Sequence, residues 1–308
     1  MITPDNRYYR QVQLLVRVLP HVAAEPCFAL KGGTAINLFM RDLPRVSVDI
    51  DLAYLPIADF EHSQTEIDAA LRRIGERLSG GSPAYRVTFG ANDGVGSVDT
   101  LSVTDGTQTV KVEVNPVLRG AVNTPTLLAL RPAVQEEFGF AQITTLAFED
   151  VYAGKLMAAL DRQHPRDLFD VMILLENEGI SDRLFRTWLA YLVGHKGSMA
   201  DALAPNRKDI GALFHSQFVA MTEREIALEE LLDVRERLIV ELHARLRERE
   251  REFLLSVKRG EPRWDLLGLD GVERLPAVKW KLHNLERMAP EARRRAVARL
   301  EKVLFGSN

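Results

Sequence analysis

Two aspartates separated by one residue, Asp49 and Asp51, stand in the alternating stretch Val48-Asp49-Ile50-Asp51-Leu52. In an extended chain, residues two apart point to the same side, so both carboxylates converge while Val48, Ile50 and Leu52 turn to a core. Neighbouring acids repel unless a cation lies between them. Oxygen donors of this hardness suit Mg²⁺ or Mn²⁺, which shares its remaining positions with substrate phosphates. Upstream, Gly32-Gly33-Thr34 separates the apolar run Cys27-Phe28-Ala29-Leu30 from Ala35, Ile36 and Phe39 at helical spacing. Such a turn exposes bare backbone N–H groups and a hydroxyl at a helix N-terminus, which suits a phosphate. It is not a Walker loop, since Lys-Ser/Thr does not follow. A glycine pair is also a common tight turn, and an isolated Asp-x-Asp a common solvated strand face. Their occurrence together, with Arg45 and Ser47 beside the acids, favours a metal and nucleotide site.

Further candidates lie downstream. In Thr109-Val110-Lys111-Val112-Glu113-Val114 the valines alternate with Lys111 and Glu113. Glu113 suits a third metal ligand and the base that takes a proton from an attacking hydroxyl; a surface Lys–Glu face explains it equally well. The i±3 and i±4 neighbours of Lys155 are mostly apolar: Val151, Tyr152, Ala158 and Ala159. A lysine placed there either snorkels or reaches a buried anion, and a clamp on a triphosphate is the functional form of the second. His164-Pro165-Arg166-Asp167-Leu168-Phe169-Asp170 opens a helix closed near Gly179. On its own, Asp167 is explained by the helix dipole, and His164 by a cap or surface position.

These residues need elements to position them. The spacing predicts a helix over residues 6–23, a strand at 27–30, a short helix over 34–41, a strand at 48–52 and a helix over 59–79. Strands at 85–89, 98–103 and 107–114 follow, the last two joined by Asp105-Gly106, a hairpin turn signal. From about residue 146 the patterns are almost wholly helical, with a continuous helix expected over 222–257 and a basic one over 290–304. The expected class is α+β: a mixed sheet with helices over residues 1–145, then an all-helical domain over 146–308. With 308 residues, two domains are expected. The 40 Lys and Arg against 43 Asp and Glu exclude a uniformly basic nucleic-acid coat, though not a local patch. One such patch is the stretch from Lys279 to Lys302, which suits an RNA backbone or a solvated helix face. A single cysteine, Cys27, excludes an internal disulfide framework. The lack of a long apolar run or leader pattern points to the cytoplasm, with no membrane partner.

Gly32-Gly33-Thr34, Arg45-x-Ser47-x-Asp49-Ile50-Asp51-Leu52, Lys155 and Arg166-Asp167-Leu168-x-Asp170 resemble the AbiEii/AbiGii-type toxin nucleotidyltransferases, of the DNA polymerase beta-like superfamily. The stretches from Ser256 to Trp264 and from Leu275 to Lys281 look like that family's C-terminal half. The resemblance implies a toxin of a bacterial toxin–antitoxin or abortive-infection system that moves NMP from an NTP to RNA, notably a tRNA 3′ end. It implies Asp49 and Asp51 as the metal pair, Lys155 as the motif lysine and Asp167 as the motif aspartate. Gly32, Gly33, Thr34, Arg45, Ser47 and Lys155 would bind the nucleotide. Thr34 keeps the hydroxyl where the superfamily has Ser, and Glu113 replaces its frequent Asp. An antitoxin encoded nearby is the expected partner. Alternatives are nucleotidylation of a protein or small molecule, phosphate transfer of kinase type, and a catalytically silent nucleotide- or RNA-binding module.

Overall fold

The computed structural model describes residues 3–90 and 97–306. The chain divides into two compact units, Met1–Val151 with Val219–Glu225, and Tyr152–Phe218 with Ile226–Asn308.

The first unit is built on a mixed sheet of β1 (Phe28–Lys31), β2 (Asp49–Tyr54), β3 (Arg86–Gly90), β4 (Thr100–Thr104), β5 (Thr109–Val114), β6 (Thr126–Ala129) and β7 (Gln142–Thr145). The strand order is β3-β4-β5-β2-β1-β7-β6. β2 runs parallel to β5, and β1 to β7, while the other neighbours are antiparallel. Helices α1 (Tyr9–Ala23), α2 (Gly32–Thr34), α3 (Phe60–Gly80) and α4 (Pro132–Phe138) accompany the sheet. α1 packs on β5, β7 and α3 through Val12, Leu15, Val16 and Leu19, the apolar row its spacing predicts. β6, α4 and β7 carry too little periodicity to be anticipated.

The alternation in β2 and β5 sets the site. Ile50, Leu52, Val110, Val112 and Val114 are all buried, so their partners at odd positions form the polar face. Each fully buried Val, Leu or Ile contributes about 1.5–3 kcal/mol. A one-residue slip would bury the acids instead, so the register is strongly specified. At the β4–β5 turn Gly106 has φ +96°, and the Asp105 carboxylate accepts from the backbone N–H groups of Thr107 and Gln108, both at 2.8 Å. That is the turn expected from Asp-Gly.

The boundary between the units falls within α5 (Phe148–Asp161). The second unit is helical: α6 (Pro165–Asn177), α7 (Asp182–Gly194), α8 (Met199–Leu203), α9 (Gly211–Gln217), α10 (Leu228–Arg245), α11 (Glu248–Arg259), α12 (Pro276–Glu286) and α13 (Pro290–Phe305). Its core includes Trp188, Phe169, Phe218, Leu238 and Phe253, all fully or nearly fully buried. The single helix expected over 222–257 is two helices. The backbone is extended at Arg247, and Glu250 accepts from the Arg247 N–H at 3.1 Å, capping a new start. Leu246 is buried at the break, so the apolar spacing continues although the helix does not. Among the described residues no helix is long and apolar enough to cross a membrane.

Candidate active site

In the first unit the chain leaves β1 extended at Lys31 and turns at Gly32, whose φ is +71°. A β-carbon on Gly32 would stand 2.4 Å from Asp51 Oδ2. One on Gly33 would stand 2.8 Å from Ser47 Oγ and 2.9 Å from Arg45 Nη2. The glycine pair therefore lets a carboxylate, a hydroxyl and a guanidinium approach bare backbone, and an L side chain at Gly32 would also be strained. After Thr34 the helix continues as a π-helix through Ala35–Met40.

Thr34 is fully buried. Its hydroxyl donates to the Asp49 carbonyl at 2.5 Å and lies 3.0 Å from Ser47 Oγ, so it ties the helix start to the first residue of β2. Asn37, also fully buried, donates to the Gly33 carbonyl at 2.9 Å, and its own side-chain oxygen accepts from the Arg45 N–H at 3.3 Å. Sequence reasoning missed Asn37; a polar amide inside an otherwise apolar helical run was the available signal. The Arg45 guanidinium is buried and donates to the Val46 carbonyl at 2.7 Å. Val46 N–H in turn donates to the Met221 carbonyl at 2.6 Å, and the Thr222 hydroxyl to the Pro44 carbonyl at 2.9 Å. The segment Val219–Glu225 belongs to this unit and braces the loop that carries Arg45 and Ser47.

Register places the charged side chains in two rows across the sheet. One row holds Lys31, Asp51, Glu113 and Thr100; the other holds Asp49, Lys111 and Ser102. Asp49, Asp51, Lys111 and Glu113 are each partly exposed. Lys111 forms an ion pair with Glu113. That hydrogen bond, helped by the fields of Glu113, Asp49 and Asp99, raises the Lys111 ammonium above the usual lysine range despite some desolvation. Among the described residues no group of three or more His, Cys, Asp or Glu side chains is gathered that could hold a metal ion. Asp49 and Asp51 share a face, and Glu113 stands beside Asp51 but is engaged by Lys111.

In the second unit Lys155, on α5, is buried. Its ammonium lies 2.6 Å from Asp167 Oδ1 and 2.9 Å from Asp170 Oδ2. The two acids are three residues apart on α6 and therefore share a helix face. Of the readings open to Lys155, the structure shows a buried anion, and the anion is this pair. Asp170 was missed as a candidate, although it stands in the Asp-Leu-x-Asp pattern. Arg162, 64% exposed, adds contacts of 3.1 Å to Oδ1 and 2.9 Å to Oδ2 of Asp167. His164 caps α6: its Nδ1 accepts from the Arg166 N–H at 3.1 Å, and burial holds its pKa below the usual histidine range. The α5–α6 turn is fixed by buried Gln163, at φ +55°. Its amide donates to the Asn206 carbonyl at 2.8 Å and its oxygen accepts from Lys208 N–H at 3.0 Å and Arg235 Nη1 at 3.1 Å.

A glycine turn against Asp-x-Asp, followed in the chain by this lysine–aspartate cluster, is the motif order that suggested a transferase. The family described as nucleotidyl transferase AbiEii toxin, type IV TA system, matches residues 13–284. The chain belongs to this family. An AbiEii-family chain is a nucleotidyltransferase and the toxin component of a toxin–antitoxin system. Its fold is similar to that of MenT4, a nucleotidyltransferase toxin from Mycobacterium tuberculosis H37Rv, with a TM-score of 0.61 and 15% identity over 92% of this chain and 95% of that one. JHP933 from Helicobacter pylori is similar at a TM-score of 0.42 and 17% identity, over 82% of this chain and 98% of that one. No protein of curated function matches the AbiEii-family chain in sequence.

Proposed function

We propose that this AbiEii-family chain is a metal-dependent enzyme that transfers NMP from an NTP to an RNA hydroxyl, with a tRNA 3′ end as acceptor. The observation that carries it is the polar face of β2: Asp49 and Asp51 on one side, with Asp51 lodged against the bare backbone of Gly32. The residues fit a divalent cation, since both are hard oxygen donors that remain partly exposed beside backbone without a β-carbon. Asp49 and Asp51 would hold Mg²⁺ or Mn²⁺, and the ion would neutralise charge on the triphosphate.

The chain's own groups do the rest. Backbone N–H groups of Gly32 and Gly33, with Thr34, Ser47 and Arg45, bind and orient the phosphates. Glu113 accepts the proton of the attacking hydroxyl as pyrophosphate leaves. Lys155 and Asp167 carry the family's motif lysine and aspartate, and in this chain the Lys155 ammonium is engaged by Asp167 and Asp170. Rate enhancement comes from positioning and charge neutralisation, as in other phosphoryl-type transfers. NTP and tRNA place the protein in the cytoplasm, with an antitoxin encoded nearby.

The test offers each α-labelled NTP to the purified chain with total RNA, protein lysate or small-molecule acceptors. Label on RNA, lost in Asp49→Ala, is the expected result. Asp49→Ala labelling RNA as well as the wild type would overturn the metal assignment, and label confined to another fraction would overturn the acceptor. A γ-label on product would indicate phosphate transfer instead.

A further inference from the structure

The basic stretch from Lys279 to Lys302 is not a uniform coat, because the structure commits half of it internally. Lys281 is buried, and its ammonium donates to the His195 carbonyl at 3.0 Å and to that of Gly197. Arg293 donates to the carbonyls of Leu285 and Glu286, Arg299 pairs with Asp201, and Arg294 lies 3.9 Å from Glu291. Lys279, Arg287, Arg295 and Lys302 are exposed and have no ion pair among the described residues.

On α12 and its C-cap, Lys279, His283 and Arg287 recur every fourth residue and are all exposed, so they share one solvent face. Trp280 adjoins that row and is 49% exposed. The other tryptophans are used internally: Trp188 is fully buried, and Trp264 packs on Phe253 with ring centroids 5.7 Å apart. An exposed indole between uncommitted cations provides a stacking surface for a base and charges for the flanking phosphates. A protein partner fits less well, since Trp280 is the single large apolar residue exposed on α12 and an apolar interface core is lacking.

We propose that the outer face of α12, Trp280 with Lys279, His283 and Arg287, binds single-stranded nucleic acid and holds the RNA acceptor. This rests on the RNA reading above and names the surface it uses.

The full-length chain is titrated into a short fluorophore-labelled single-stranded RNA whose anisotropy reports binding, with tryptophan emission recorded alongside. Quenching of wild-type emission is expected, with binding weakened about 5- to 20-fold in Trp280→Ala. In Lys279→Gln/Arg287→Gln the slope of log affinity against log salt falls by about 1.4, for two lost phosphate contacts. Both variants change exposed side chains, so melting temperatures should match the wild type. Unchanged RNA binding and an unchanged KM for RNA in Trp280→Ala would overturn the surface while leaving the RNA reading intact. Label appearing on protein or a small molecule, with strand binding still lost in Trp280→Ala, would overturn the acceptor and leave the surface standing. Binding of a protein acceptor that depends on Trp280, with no binding of the strand, would overturn both.

Discussion

The acids of the two units are handled in opposite ways. Asp49, Asp51 and Glu113 lie partly exposed along one sheet face, whereas the Asp167 and Asp170 side chains are 4% and 1% exposed around a buried Lys155. Removing a carboxylate from water costs several kcal/mol unless partners compensate it, so the α6 acids need cations built into the fold. Lys155 and Arg162 supply them. On the sheet, nearness to water screens the repulsion between the two acids, so the pair is tolerable without a buried cation. The difference lies in burial: the α6 acids are matched by cations inside the fold, whereas the sheet acids stay within reach of water, with Glu113 beside Lys111.

That contrast can be broken most sharply at β2. Asp51→Asn should lower NMP incorporation by about a thousandfold while shifting the melting temperature by no more than about 2 °C, as expected of a residue proposed to serve transition-state charge and not packing. A comparable loss of thermal stability would show that the sheet acids are structural. Lys155→Met should do the reverse at the level of the fold, costing about 3–5 kcal/mol in urea unfolding by removing the cation that two buried carboxylates share. Wild-type stability in that variant would erase the distinction between the units.

Gly32→Ala lies between the two. Its φ of +71° and the 2.4 Å approach to Asp51 Oδ2 predict a stability loss of about 1–3 kcal/mol. Displacing Asp51 should also cut activity at least about tenfold, measured as the kcat of label incorporation.

The smallest effect concerns Lys281, a buried cation matched by carbonyl oxygens and not by a carboxylate. Burial, with the field of Lys258, lowers its pKa to about 8 from 10.5. With the folded value depressed, the unfolded chain binds more protons between those limits, so stability from this group rises with pH across that window and is lost as pH falls through about 8. Relative to Lys281→Met, the wild type should gain on the order of 1 kcal/mol between pH 8 and 9 in denaturant midpoints. A pH-independent difference would remove the depressed pKa.

The outline of the site is legible in local patterns. Alternation in Val48–Leu52 and Thr109–Val114 assigns Asp49, Asp51 and Glu113 to polar faces, and the glycine pair marks the turn. Periodicity of this kind depends only on the segment's own backbone, which is why it survives without knowledge of the rest. Partnership does not. That β5 lies parallel to β2 with Glu113 opposite Asp51 depends on the crossover between distant strands. That Asp170 answers Lys155 depends on the helix turn fixed by Gln163. Likewise, the row of basic residues after Lys279 looks uniform in one dimension, and only packing separates buried Lys281 from exposed Lys279 and Arg287. The amino-acid order determined which faces are polar, because that follows from bond geometry. The tertiary structure alone decided which charges meet, because desolvation and pairing depend on neighbours far away along the chain.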